Sequence, residues 1–264
     1  MKRRVYRGGA LLALIAAIVV IAIILTENSL RGQLTATATS WTDTGRWLAA
    51  ALGGYLLGSI PFGFIIVAVL HERDIRDSGS GRTGGTNAMR ASGMGAAAFT
   101  VLGDLLKGFA GVALAQLIFP TSAWAAVFGG WGVLLGHNAS IYLGFRGGAG
   151  TAPSMGVAGA LWFPSLLFTL PFLPIGLLVI GVASLTSLII SGAIIVVFVI
   201  RAATGYGPWE HVVYGLGALI LVAFALRPNI KRMLNGTEPI VGPRARRIEK
   251  RAAQSANPAA RSGS

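Results

Sequence analysis

Residues 95 to 119 read GAAAFTVLGDLLKGFAGVALAQLIF, with charges only at Asp104 and Lys107. A helix needs about 20 apolar residues to cross a bilayer, and this run supplies them. Further apolar runs fall at about 10–25, 47–70, 121–143, 153–168, 169–183, 186–202 and 209–226. Backbone in hydrocarbon must satisfy its own hydrogen bonds, and unbroken apolar runs without alternation do so as helices. The chain is therefore expected to be all-α, a polytopic transmembrane helix bundle of eight spans. Only 12% of its residues are charged, about half the fraction of a soluble domain. Prolines at 164, 171 and 174 require the fifth and sixth spans to be short or broken.

The first run follows MKRRVYR and reads as an uncleaved anchor. ATA at 36–38 makes a signal peptide the rival reading. Three parts result: residues 1–46 as anchor span and external linker, 47–240 as the transmembrane domain, and 241–264 as a basic disordered cytoplasmic tail. The net charge is +13, yet the basic residues sit beside apolar spans, which points to anionic lipid and away from nucleic acid. Of the 22 lysines and arginines, 18 lie in 1–9, 71–94, 144–152 and 227–264, the segments that a cytoplasmic N-terminus puts inside. The chain shows no internal repeat, which counts against a transporter built from repeated halves. With no cysteine and three scattered histidines (His71, His137, His211), neither metal nor cofactor is expected. His71 is expected at the membrane interface and His211 in an external loop.

The polar residues crowd one face. RDSGSGRTGGTNAMR at 76–90 contains Gly79, Gly81 and Gly84 in a G-x-G-x-x-G pattern, and Gly79–Thr86 matches a P-loop except that Gly85 replaces its lysine. Both motifs need a strand before and a helix after, and these flanks are too long and apolar for strands. Glycine-rich backbone still offers N–H groups to an anion. Ser80, Arg82, Thr86, Asn87 and Arg90 stand among those glycines. The second segment, GHNASIYLGFRGGAGTAPS, has His137, Asn138, Arg146 and the turn Gly147, Gly148, Ala149, Gly150; the third, LRPNIKRMLNGTEP, has Asn229, Lys231 and Arg232. Together they supply the parts of an anion site: N–H donors, hydroxyls and guanidinium forks. The alternative is that the glycines serve helix packing and the arginines serve topology. Asp104 and Lys107 lie on one helix face, three residues apart, and are expected to pair and lock the bundle. A proton relay is the alternative.

From GSIPFGFIIVAVL at 58, through DIRDSGSGRTGGTNAMRASGMGAAAFTVLGDLLKG and GHNASIYLGFRGGAG, to RPNIKRMLNGTEP, the chain resembles the bacterial membrane acyl-phosphate:glycerol-3-phosphate acyltransferases. The resemblance covers about residues 47 to 240. It implies a seven-span core in the bacterial inner membrane with its site on the cytoplasmic face, here with one extra N-terminal span. It also implies transfer of a fatty acyl group from acyl phosphate to the 1-hydroxyl of glycerol 3-phosphate, giving lysophosphatidic acid. Ser80 and Arg90 would bind phosphate and assist transfer, Asn229 would hold glycerol 3-phosphate, and His137 and Asn138 would shape the site. Gly79, Gly81, Arg82, Thr86, Asn87, Arg146, Gly147, Gly148 and Gly150 complete the expected binding residues. Acyltransferases that use a His-x-x-x-x-Asp pair differ, since Arg76, Tyr142 and Leu216 stand five residues after the three histidines. The family motifs would have a lysine at Ala149, a histidine at Leu226, an asparagine at Arg82 and an arginine at Gly181. A catalytically impaired homologue that binds a lipid or phosphate ligand, and a small-molecule transporter, are the alternative functions.

Overall fold

The structure, a computed structural model, describes residues 43–120, 122–243 and 245. The expected anchor at 10–25 and nearly all of the tail lie outside the described residues. The elements in order are α1 (Asp43–Gly58), α2 (Phe62–His71), a 3-10 turn (Ile75–Asp77), α3 (Gly85–Ile118), α4 (Ala123–Asn138) and a second 3-10 turn (Ile141–Leu143). Then come α5 (Thr151–Leu161), α6 (Pro164–Thr169), α7 (Phe172–Ile175) with a π turn (Gly176–Ile180), α8 (Ala183–Ala203), α9 (Glu210–Ala225) and α10 (Arg227–Leu234). The described residues contain no strand, which removes the P-loop and dinucleotide readings of residues 79–86.

Three described stretches are long and apolar enough to cross a membrane: 44–71, 85–118 and 183–203. The first is interrupted at Pro61, which has no N–H to continue the ladder. A fourth stretch is the pair α9 and α10, bent by 69° where Pro228 enters the first turn of α10. The run expected at 121–143 is a helix of 16 residues, and the run at 153–168 contains one of 11. The proline-bearing stretch 164–180 is broken, as its sequence requires.

The α1–α4 contact is the most extensive in the bundle, followed by α3 on α5. Its cause is a row of glycines. A Cβ at Gly54 or Gly58 of α1 would overlap the backbone of Gly129 or Val133, and one at Gly132 or Gly136 of α4 would overlap Ala51 or Tyr55. Backbones meet directly, the usual route to helix association without a hydrophobic driving force. Around this seam Val112, Val127, Leu134, Met155, Ile190, Ile194, Phe198 and Tyr214 form the main buried cluster.

Two positions differ from the sequence expectation in ways that matter for the site. Helix α3 starts at Gly85, ten residues before the apolar run, and turns sharply at Gly93, whose φ of 84° favours glycine. Thr86, Asn87 and Arg90 therefore stand on a short helical piece ahead of the kink. His211 lies in the first turn of α9, not in an external loop. It is buried, with Nδ1 2.9 Å from the Arg201 guanidinium, a contact that draws the residue into the bundle. His71 is exposed at the C-terminal end of α2.

Candidate active site

The first segment is organised by Asn87. Its Nδ2 donates to the carbonyls of Ile75 (2.9 Å) and Arg82 (2.8 Å), and its Oδ1 accepts from Ser80 N–H (3.1 Å). One buried side chain thereby folds residues 75–87 into a loop that presents Ser80. Gly79 and Gly81 have φ of 51° and 68°, and a Cβ at Gly79 would strike Asn87 and Arg90. Arg82 crosses to the end of α9 and donates to the Ala225 carbonyl. Arg90 lines the same space, and among the described residues its guanidinium has no hydrogen-bond or ion-pair partner.

The second segment hangs from the end of α4. Gly148 N–H donates to the His137 carbonyl (2.9 Å), and a Cβ at Gly148 would fall on the His137 imidazole. Gly150, with φ 92°, turns the chain into α5. Asn138 Nδ2 donates to the Leu221 carbonyl at 3.2 Å, which ties this segment to α9.

The third segment converges on Glu238. Its Oε1 accepts from Asn229 Nδ2 (2.7 Å) and Ser184 Oγ (2.9 Å), and its Oε2 accepts from Arg232 Nε (2.8 Å). Burial alone would raise this carboxyl, but the hydrogen bonds from Asn229, Ser184 and Arg232 and the Arg232 charge outweigh it, holding Glu238 below the usual carboxylate range. A lowered folded value means that the stabilisation is complete above the unfolded value, about 4.3, and is lost as pH falls through the folded one. Glu238→Ala removes three donors' acceptor at once. The expected loss is roughly 2–3 kcal/mol of stability, read as a lower thermal midpoint at neutral pH, with the gap to wild type narrowing in acid.

These segments enclose a cleft of about 380 Å³. Gly79, Ser80, Arg82, Thr86, Asn87, Arg90, Asp104, His137, Gly150 and Asn229 line it. Gly81, Asn138, Arg146, Gly147, Gly148 and Lys107 do not, and Arg146 is exposed on its loop. Val101, Leu173 and Leu177 add apolar wall. Three guanidiniums line the cleft, from Arg82, Arg90 and Arg232. Arg82 is lowered chiefly by burial and then by the Arg232 charge, with Glu238 opposing. An anion arriving between Arg82 and Arg90 would relieve that burden.

Beneath the cleft, Lys107 Nζ stands 2.7 Å from Asp104 Oδ1, so the expected pair is formed. Nζ also donates to the Ile60 carbonyl (3.0 Å) and lies 2.8 Å from His137 Nδ1. All three side chains are at most 4% exposed.

Residues 48–236 match the family profile described as glycerol-3-phosphate acyltransferase. That match covers well over half of the chain. The chain belongs to this family. Among relatives, the glycerol-3-phosphate acyltransferase of Synechococcus sp. (strain JA-2-3B'a(2-13)) is 40% identical over 195 residues, covering 74% of this chain and 94% of the relative. The enzyme of the same name from Nitrobacter winogradskyi is 38% identical over 199 residues, covering 75% and 97%. Crystal structures of PlsY (YgiH), an integral membrane glycerol 3-phosphate acyltransferase, superpose with TM-scores of 0.64 for the glycerol 3-phosphate form and 0.62 for the lysophosphatidic acid form. Each is 33% identical and covers 74% of this chain.

Within the family frame, Ala149 and Leu226 both line the cleft, so the expected lysine and histidine would have reached it. Arg82, the extra cation, lines it too. Gly181 has φ 73°, a conformation that disfavours the arginine expected there. Arg232, named with the third segment, lines the cleft, whereas Glu238, Ser184 and Thr186, which also line it, were not among the expected site residues. Glu238 follows a basic helix through a Gly-Thr turn, and an isolated carboxylate after three cations was the available signal.

Proposed function

We propose that the chain transfers a fatty acyl group from acyl phosphate to the 1-hydroxyl of glycerol 3-phosphate. The carrying observation is the convergence of Arg82, Arg90, Ser80 and Asn229 on one cleft that also has an apolar wall. Two phosphate groups and an acyl chain call for such a mixture. The 1-hydroxyl oxygen attacks the acyl carbonyl carbon, a new C–O ester bond forms, and the bond from that carbon to the phosphate oxygen breaks. The hydroxyl proton leaves with the departing phosphate. An acyl phosphate is already activated, so positioning and cationic stabilisation of phosphate supply much of the rate.

Ser80 and Arg90 act on phosphate, and Asn229 holds glycerol 3-phosphate while Glu238 holds Asn229. Asp104 and Lys107 brace the floor. The PlsY structures, in glycerol 3-phosphate and lysophosphatidic acid forms, support the acceptor and product of this reading. Purified protein given labelled glycerol 3-phosphate should form lysolipid with acyl phosphate and none with an acyl thioester. Lysolipid from the thioester alone would overturn the donor.

The site belongs on the cytoplasmic face of the inner membrane, with the tail on the same side, as the charge distribution supports. Cysteines introduced at Gly81, Gly144 and Ser255 should resist an impermeant thiol reagent in intact cells. Labelling of all three from outside would contradict this orientation.

A further inference from the structure

Of the buried pair beneath the cleft, only the acid reaches it: Asp104 lines the cleft and Lys107 does not. Asp104 Oδ1 is the oxygen turned to its partners, 2.7 Å from Lys107 Nζ and 3.5 Å from His137 Nδ1. Lys107 has no donor left for the second oxygen. An ammonium has three N–H groups, and these meet Asp104 Oδ1, the Ile60 carbonyl at 3.0 Å and His137 Nδ1 at 2.8 Å. Among the described residues Asp104 Oδ2 has neither a hydrogen bond nor an ion pair, and unlike Oδ1 it is not fully enclosed. Oδ2 is therefore the oxygen that opens on the cleft.

Glu238, the other carboxylate lining the cleft, provides the contrast. Its Oε1 accepts from Asn229 and Ser184 and its Oε2 from Arg232, so both oxygens are used inside the protein. Asp104 is only 2% exposed, and a carboxylate so deeply buried is costly unless its remaining lone pairs are hydrogen-bonded. An ionised carboxylate oxygen accepts and cannot donate. What it takes from a ligand is therefore a hydrogen, and a phosphate oxygen would be repelled. Arg82, Arg90 and Arg232 line the same cleft and suit the phosphate groups. Of the two substrates in the proposed reaction, only glycerol 3-phosphate carries hydroxyl groups to offer.

We propose that Asp104 contacts the acceptor: its Oδ2 accepts a hydrogen bond from the 2-hydroxyl of glycerol 3-phosphate, and Lys107 is the positioning residue that holds the carboxylate in place. The 1-hydroxyl is committed elsewhere. Its oxygen attacks the acyl carbon and its proton leaves with the phosphate, so it stands beside a phosphoryl group that a carboxylate would repel. The 2-hydroxyl takes no part in bond making and is free to bind the floor. The cleft then selects a phosphorylated 1,2-diol over a simple phosphorylated alcohol. The identity of the acceptor rests on the proposed acyl transfer; the free carboxylate oxygen does not.

The test compares two acceptors on the full chain: glycerol 3-phosphate and 3-hydroxypropyl phosphate, which differs only in lacking the 2-hydroxyl. Wild type should favour glycerol 3-phosphate by about 10- to 100-fold in kcat/KM, the usual worth of a hydrogen bond to a charged group. Asp104→Asn keeps the shape and loses the charge, and should bring that ratio to within about threefold of one. A merely structural Asp104 would lower both acceptors alike and leave the ratio where it was, which overturns the proposal. So does a wild type that takes both acceptors equally, with no variant needed. If Asp104→Asn fails to fold because Lys107 has lost its counter-charge, Asp104→Asn with Lys107→Met removes both charges and carries the same comparison. Calorimetric titration of wild type with each acceptor separates this contact from the chemistry. Tighter binding of glycerol 3-phosphate without any acyl transfer would refute the proposed function and leave the hydroxyl contact standing, whereas equal affinities would overturn the contact alone.

Discussion

Arg90→Ala is expected to slow acyl transfer by about 10²- to 10³-fold, the usual cost of losing one well-placed donor to developing charge. Thermal stability should stay near that of wild type. Both halves of this expectation come from the same geometry. The Arg90 guanidinium has no hydrogen-bond or ion-pair partner among the described residues, so its removal orphans nothing in the protein. It stands on the helical piece before the Gly93 kink, beside Gly79, whose missing side chain leaves room for it. On the proposed reading, the cation left open beside Gly79 has its work with a ligand. Arg90→Lys should recover only part of the loss, because a point charge cannot replace a bidentate fork on phosphate. Turnover measured beside a melting curve checks this. Near-normal rates in the alanine variant would make Arg90 a topological arginine.

The second large effect concerns the cation missing at Ala149. Arg82 and Ala149 line one cleft from different segments, so a guanidinium in the first loop and a lysine in the second would open on the same space. The bond from Arg82 to the Ala225 carbonyl anchors it there, beside Leu226, the other position where a cationic or polar residue is expected. Arg82→Asn should cost about 10²-fold in transfer, through the KM for glycerol 3-phosphate more than through folding. Arg82→Asn with Ala149→Lys should recover much of it. The double-mutant cycle isolates the exchange, since two independent cations would give additive effects. A harmless Arg82→Asn, or an Ala149→Lys that rescues nothing, would show that the two positions are not equivalent.

The parts of the site that were legible in the sequence are those carried by local chemistry. Glycine, serine and arginine clustered between apolar runs are hard to explain by packing alone, and most of the first segment lines the cleft. The Asp104–Lys107 pair follows from helical spacing. What stayed hidden depends on contacts across distance. Nothing in residues 85 to 92, which mix glycine, asparagine and arginine, signals a helix ahead of a glycine kink, so Arg90 reads as a loop residue. His137 joins Lys107 from a separate helix, 30 positions away. Glu238 gains its partners only because α10 bends by 69° and brings Asn229 and Arg232 toward the start of α8. Arg201 and His211 likewise pair at the other end of α8, where hydropathy alone suggests a loop. Asn87 was expected to bind substrate, yet its side-chain groups are engaged in holding the loop.

Glycerol 3-phosphate carrying ¹⁸O in its 1-hydroxyl, incubated with acyl phosphate and the purified protein, tests the central claim most directly. The account predicts one lysolipid with the label retained in its ester, and one unlabelled phosphate released for each. No lysolipid, or label recovered in the phosphate, would contradict acyl transfer to that hydroxyl.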